Sequence, residues 1–282
     1  MPELPEVETV KKGLEKLLKD FYITKIEVLK ERSIASEGGS MAFIKDVKNS
    51  YLDKWERRGK YLIGSLRTIN KTNKGFLVVH LRMTGQFKVF DKRTPPCKHT
   101  RVRFFEEEGK ELRFIDIRNF GQMWYVPTTK SVKETVSGIK RLGPEPFSSN
   151  FNSYYLEEYL KNKKRSIKSA LLDQETVAGV GNIYADETLF DAGINPKTES
   201  RDLKKDELKR LCISLVKILK ISIGEGGTTF SDFRDLEGKN GNYGGQAWVY
   251  RRGGKSCKKC SEKILREKIC GRSTHWCPNC QR

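Results

Sequence analysis

Residues 141–147 read RLGPEPF, and the two prolines and glycine of this stretch separate two kinds of sequence. Before it, from about 21 to 126, short alternating apolar runs follow one another: FYITKIEVL, KYLIGSL, GFLVVHLRM, QFKVF, RVRFFEE, ELRFIDI and GQMWYV. These read as strands joined by turns. After it the pattern turns helical, in YYLEEYL, SIKSALLDQ, IYADETLFDAG and LKKDELKRLCISLVKILKISI. The break therefore predicts an α+β multidomain chain, β-rich first and helical second. A helix precedes the strands, since Val7, Val10, Leu14, Leu17 and Leu18 fall on one face and Pro5 suits a first helical turn. Residues 224–254 are glycine-rich and polar, longer than an ordinary connector, and so mobile or functional.

The 282 residues suffice for two modest domains, each with its own core. Fifty-five Lys and Arg against 36 Asp and Glu leave a net charge of +19, which points to a polyanionic partner, with nucleic acid the leading one. No apolar run approaches the roughly 18 to 20 residues of a membrane span. The N-terminus lacks the layout of a signal peptide. A cytoplasmic protein with no membrane partner is expected.

Four of the seven cysteines form two Cys-x-x-Cys pairs, Cys257 with Cys260 and Cys277 with Cys280, sixteen residues apart. That spacing is typical of a four-cysteine zinc site, in which thiolates converge on one structural Zn²⁺ and staple a segment too short to hold itself. Cys97, Cys212 and Cys270 are left over. Cys212, within LCISLVKIL, reads as a buried small hydrophobe. Cys270 falls between the two pairs and is an outside candidate for a ligand.

Separated motifs now line up in order: PELPEVET at the start, RRGKYL at 57–62, HLRMTG at 80–85, DIRNFG at 116–121, GVGNIYADE at 179–187 and GGTTF at 226–230, then the cysteine pairs. In these the sequence resembles the bacterial formamidopyrimidine-DNA glycosylases, which remove oxidised purines such as 8-oxoguanine from DNA. The resemblance implies an N-terminal antiparallel β-sandwich with flanking helices and a C-terminal helical domain with a helix-two-turns-helix element and a zinc finger. The expected division is a catalytic sandwich at 1–135, a linker at 136–150, a helical DNA-binding domain with a flexible loop at 151–245, and a zinc-finger hairpin at 246–282. Leu4 favours the purine branch over the related endonuclease VIII branch, which usually has glycine there and prefers oxidised pyrimidines.

The resemblance gives the terminus a chemical purpose. If Met1 is removed, Pro2 offers a secondary amine. An α-amino group is roughly a tenth unprotonated at neutral pH, whereas a lysine is under a thousandth. Attack on the sugar C1′ by such an amine gives a cationic iminium that serves as an electron sink. Glu3, one residue on, is placed to protonate the opening sugar, and Glu6 is a second nearby carboxylate. By the same resemblance Lys60 acts in β-elimination and touches the DNA backbone. Arg272 at the tip of the zinc hairpin contacts phosphate and serves δ-elimination. Met83, Arg118 and Phe120 are implied to fill the gap left by the flipped base, the arginine facing the orphaned cytosine.

The implied DNA contacts are His99 and, at phosphates, Lys164, Arg165, Lys168 and Asn182, the last beside Gly179 and Gly181, where backbone can approach a phosphate. Two positions depart from the family pattern: Ser231 stands where a basic residue is common, and Arg101 where a second histidine is common. The expectation is a monomeric, nucleoid-associated base excision repair enzyme acting on duplex DNA, a bifunctional glycosylase and β,δ-lyase with one structural zinc. Its rivals are an endonuclease VIII-like enzyme and a lesion-binding protein that does not cut.

Overall fold

The computed structural model describes residues 1–91, 94–107, 109–230 and 233–282. The chain divides into two compact units, Met1–Lys140 with Gly226–Asn242, and Arg141–Glu225 with Tyr243–Arg282. The boundary at 140/141 falls at the RLGPEPF break. The glycine-rich segment differs from its expected assignment to the helical part: Gly226–Asn242 belongs to the first unit. The reason is two buried side chains, Phe233 and Leu236, which join the first unit's core.

That unit opens with α1 (Leu4–Leu17), whose Val7, Val10 and Leu14 are buried. Among the described residues nine strands follow: β1 (Tyr22–Ile23), β2 (Lys25–Val28), β3 (Ser50–Arg58), β4 (Tyr61–Arg67), β5 (Asn73–His80), β6 (Gly85–Asp91), β7 (Thr100–Phe105), β8 (Lys110–Asp116) and β9 (Gln122–Val126). They form two antiparallel sheets, of order β1-β3-β4-β5-β9 and β2-β7-β8-β6. One core joins their apolar residues: Leu52, Trp55, Leu62, Leu77 and Val79 from the first, and Ile26, Phe87, Phe104 and Phe114 from the second. Each such side chain contributes about 1.5–3 kcal/mol relative to exposure. This is a β-sandwich, with α1 and α2 (Gly39–Val47) supplying further core residues. Trp55 spans the layer to Phe87, ring centroids 6.3 Å apart. It lies over Gly64, where an added Cβ would come within 3.0 Å of the indole.

The sequence reading does not resolve β3 or α2. In SYLDKWERR a bulge between Leu52 and Trp55 breaks the two-residue alternation that marks a strand. Two short helices, α3 (Val132–Thr135) and α4 (Ser137–Lys140), close the first unit. The second unit contains α5 (Ser153–Leu160), α6 (Ile167–Leu172), α7 (Asn182–Ala192), α8 (Lys205–Gly224) and α9 (Tyr243–Gln246), then the hairpin β10 (Leu265–Ile269) and β11 (Arg272–Trp276). None of the described helices is long and apolar enough to cross a membrane.

Candidate active site

In the first unit the N-terminal residues are held rather than frayed. Pro2 is buried, Glu3 is 2% exposed and Glu6 is 1% exposed, while Met1 projects at 45%. Glu3 is the N-cap of α1 and Pro5 stands in its first turn, where no amide hydrogen is needed. The Glu6 carboxylate accepts from the Glu3 amide at 2.8 Å with one oxygen and from the Thr228 amide at 2.7 Å with the other. The glycine-rich segment is thereby tied to the first turn of α1. Gly227 allows this approach: its φ is +82°, and a Cβ there would lie 2.8 Å from Glu6 Oε1. Lys16 pairs with Glu237 at 3.1 Å, and the Thr229 hydroxyl donates to the Phe233 carbonyl at 2.9 Å. The loop expected to be mobile thus has fixed anchors. Ser231 lies outside the described residues.

Lys60 occupies the turn of the β3–β4 hairpin, with Gly59 (φ +55°) before it, and is 8% exposed. Arg57 joins this hairpin to α1. Its Nε donates to Glu8 at 2.8 Å and its Nη1 to the Gly59 carbonyl at 3.1 Å, so the turn that carries Lys60 is fixed to the helix that carries Glu3. His80 ends β5 with Tyr61 edge-on at 4.5 Å, and its Nδ1 accepts from the Arg82 amide at 2.9 Å. Burial, and then the charges of Arg82 and Lys60, bring its pKa down to about 3, so the ring is neutral at pH 7.

Met83, Arg118 and Phe120 are brought into one bonded assembly by two side chains. Asp116, fully buried at the end of β8, accepts from the amides of Arg118 at 3.2 Å, Phe120 at 2.8 Å and Gly121 at 2.7 Å. It also accepts from the Thr84 hydroxyl, which in turn accepts from the Arg118 amide at 3.0 Å. The loop of Met83 is thus bonded to the loop of Arg118 and Phe120. Phe120 is 38% exposed and Arg118 lies over its ring at 4.9 Å, so neither belongs to the core. His99 is half-buried, and its carbonyl accepts from the Asp116 amide. Arg101, the departure from the family pattern, is buried and donates through Nε to the Asp116 carbonyl at 2.8 Å. It supports the same loop from beneath.

In the second unit, the GVGN turn leads into α7, with Gly179 at φ +88° and Gly181 as N-cap. Gln174 holds this turn, accepting from the Gly179 amide at 3.0 Å and donating to the Val180 carbonyl at 2.8 Å. Of the three basic residues upstream, Lys164 alone is exposed and makes no ion pair with a described residue. Arg165 is half-buried against Asp173 at 2.6 Å and Thr176 at 3.0 Å. Lys168 corrects the expectation of a phosphate contact: it is fully buried, 2.6 Å from Asp186, and presents no surface to a phosphate.

Lys168 instead supports the hairpin from inside. Its Nζ donates to the Ser273 carbonyl at 3.0 Å and to the Thr274 hydroxyl at 2.8 Å. Asn182 Nδ2 donates to the same carbonyl at 2.9 Å. Asp186 accepts from the His275 amide at 2.9 Å and lies 3.1 Å from His275 Nδ1. These bonds fix β11, at whose start Arg272 is exposed. Cys270 and Gly271 form the two-residue turn before it, with φ +48° and +75°, the pattern of a type I′ hairpin. Cys270 is exposed there, apart from the four-cysteine cluster, so it is not a fifth ligand candidate. Glu187, next to Asp186, accepts from the amides of Trp248, Val249 and Tyr250 at 2.8–2.9 Å and fixes the chain that enters the finger.

The Sγ atoms of Cys257, Cys260, Cys277 and Cys280 all lie within 4.8 Å of one another and could hold a metal ion. Two separations are 3.9 Å and 3.4 Å, against about 3.8 Å for sulfurs tetrahedrally placed about 2.3 Å from a zinc. Four thiolates leave such an ion no open position.

Fold and site together define a two-unit protein: a β-sandwich with a buried proline and carboxylate near its N-terminus, and a helical unit whose cysteine-clustered hairpin presents an arginine. The model of the formamidopyrimidine-DNA glycosylase N-terminal domain matches residues 1–123, and that of the H2TH domain of the same proteins matches 142–234. The chain belongs to the formamidopyrimidine-DNA glycosylase family. It is 83% identical to that enzyme of Prochlorococcus marinus (strain NATL2A) over 282 residues, all of both chains. It is 57% identical to that of Parasynechococcus marenigrum (strain WH8102), again over all of both chains. Among solved structures, Lactococcus lactis Fpg bound to DNA containing an abasic site matches with a TM-score of 0.90 at 33% identity, 99% of each chain covered. MutM bound to DNA containing carbocyclic 8-oxo-G matches equally, TM-score 0.90 at 33% identity over all of both chains.

The four cysteines expected from their spacing do cluster, and the terminus and the Lys60 turn were singled out from the sequence. The sequence reading missed Arg57, His80, Asp116, Gln174 and Asp186, which act on backbone groups or other side chains. The signal for some was present inside the quoted motifs: Asp116 begins DIRNFG and Asp186 lies in GVGNIYADE.

Proposed function

We propose that this chain is a base excision repair glycosylase that removes oxidised purines from duplex DNA and then cleaves the abasic strand. The observation that carries the reading is Glu3, a carboxylate 2% exposed at the head of α1, beside the buried Pro2. A buried carboxyl next to a chain-terminal secondary amine suits nucleophilic displacement at C1′ with proton transfer to the opening sugar. Met1 must be removed first, since only then is Pro2 an amine.

In the proposed reaction the Pro2 nitrogen bonds to C1′ as the base departs with the glycosidic electron pair and takes up the amine proton; Glu3 then protonates the ring oxygen as the C1′–O4′ bond breaks and the nitrogen lone pair forms the C1′=N bond. The resulting iminium withdraws electrons from C2′, which allows β-elimination of the 3′ phosphate. Lys60, held by the Arg57 brace, assists that step, and Arg272 grips phosphate for the δ-elimination that follows. Met83, Arg118 and Phe120 occupy the space of the extruded nucleotide. His99, Lys164 and the Asn182 turn contact the backbone. Arg165 is a phosphate contact only if it leaves Asp173, which lowers its standing relative to Lys164.

The four cysteines would hold one Zn²⁺, whose part is to stiffen the hairpin beneath Arg272. Opposed to the purine reading is a preference for oxidised pyrimidines, and Lactococcus lactis Fpg has itself been solved with DNA containing an oxidised pyrimidine. Duplexes carrying 8-oxoguanine or an oxidised pyrimidine test the point. Faster single-turnover excision of 8-oxoguanine is expected, and a reversed order would favour the endonuclease VIII-like alternative.

A further inference from the structure

Helix α8 buries one apolar face, and two large apolar side chains stand among the charged residues of its outer side. Leu208, Leu211, Leu215, Ile218 and Leu219 point inward and are buried. On the outer side Ile213 is 68% exposed and Ile221 40%. With Phe151, Cys212 and Val216 these two line a groove of about 770 Å³ between α8 and the start of α5. Burial pushes the Cys212 thiol up to about 12, so it serves as a small apolar wall and not as a nucleophile. A surface helix normally carries one apolar stripe, facing its own core. Here two exposed isoleucines line a groove and give a partner's apolar side chains a seat.

The edges of the groove specify that partner's charge. Lys209, Lys217 and Lys220 line it along with the apolar residues. Lys217 is paired with Asp191 at 2.6 Å and Lys209 lies 3.8 Å from Asp206, while Lys220 makes no ion pair with a described residue. We propose that this groove is a docking site for an acidic, amphipathic segment of another protein, its apolar side chains seated on Ile213, Val216 and Ile221 and its carboxylates against the lysines.

Duplex DNA would use the lysines but gain nothing from aliphatic side chains, since it presents charged phosphates and keeps its bases stacked inside the helix. A second copy of this chain, itself at +19, would be repelled. From Lys209 to Ile221 the helix advances about 18 Å, enough to seat a helical segment of about a dozen residues. The proposal is independent of the excision chemistry, because none of these residues belongs to it.

A random twelve-residue peptide display library, selected on the full-length protein, tests the proposal. Enriched peptides should carry at least two carboxylates and two large apolar residues, and should bind Ile213→Asp at least tenfold more weakly, with Lys220→Glu weakening them further. Excision of 8-oxoguanine by both variants at the parental rate will show that they are folded. The proposal is overturned if no enriched peptide depends on Ile213, or if the dependent peptides are neutral or basic. Phosphatidylglycerol vesicles provide the competing occupant: vesicle binding lost in Ile213→Asp, without peptide binding, would make this a lipid-surface site instead.

Discussion

His80 shows how a single residue's surroundings set its chemistry. Between Tyr61, Arg82 and Lys60, its ring is held neutral with a pKa of about 3, below the ordinary 6.5. Protons then bind the unfolded chain more strongly than the folded one. The contribution to stability is complete above about pH 6.5 and declines as pH falls toward 3. Between pH 7 and pH 5 the loss attributable to this half-buried ring is roughly 1 to 2 kcal/mol. Denaturant unfolding at the two pH values should show a smaller difference for His80→Gln than for the parent; an equal difference would place the sensitivity elsewhere. His80 was quoted within HLRMTG but given no role, because a histidine's protonation depends on neighbours that a linear sequence does not place. Arg101 is similar: the sequence shows it only as a departure from a pattern, whereas its guanidinium is committed to the Asp116 carbonyl.

At the scale of the element, the β10–β11 hairpin depends on a buried charge cluster as well as on its cysteines. Removing one member of a buried ion pair typically costs about 3–5 kcal/mol, because the other is left uncompensated. Asp186→Asn should therefore loosen β11 and reduce the Arg272-dependent step. The expected result is a lower ratio of δ- to β-elimination product, with one equivalent of zinc retained. Cys277→Ser should instead release the metal and abolish lesion binding altogether. If Asp186→Asn leaves the product ratio unchanged while zinc is retained, the cluster does not position Arg272. The cysteine pairs announce this hairpin because ligand spacing is a local property. Lys168 was misread as a phosphate contact because it was grouped with its basic neighbours Lys164 and Arg165, and only helix α6 turns that lysine inward toward Asp186. The same holds for β3, whose bulge erased the alternation that exposed its neighbours.

For the whole molecule, the proposed reaction draws on both units: Pro2, Glu3 and Lys60 from one, Arg272 and the backbone contacts from the other. Affinity for lesion DNA should fall with salt at a slope of about −0.9 per phosphate neutralised. Lys164→Ala should flatten that slope by about one, since this lysine is exposed and without an ion pair among the described residues. An unchanged slope would remove Lys164 from the footprint. Much of this organisation was legible because the break at 141–147 is a change of periodicity. The placement of Gly226–Asn242 was not, since it turns on Phe233 and Leu236 reaching a core more than a hundred residues earlier in the chain. The most direct test of the account is borohydride trapping during turnover on an 8-oxoguanine duplex, followed by mapping of the adduct. DNA should be joined to Pro2 in a chain lacking Met1, with trapping preserved in Lys60→Ala and base excision lost in Glu3→Gln while DNA binding persists. An adduct on Lys60, or excision by Glu3→Gln at the parental rate, would contradict it.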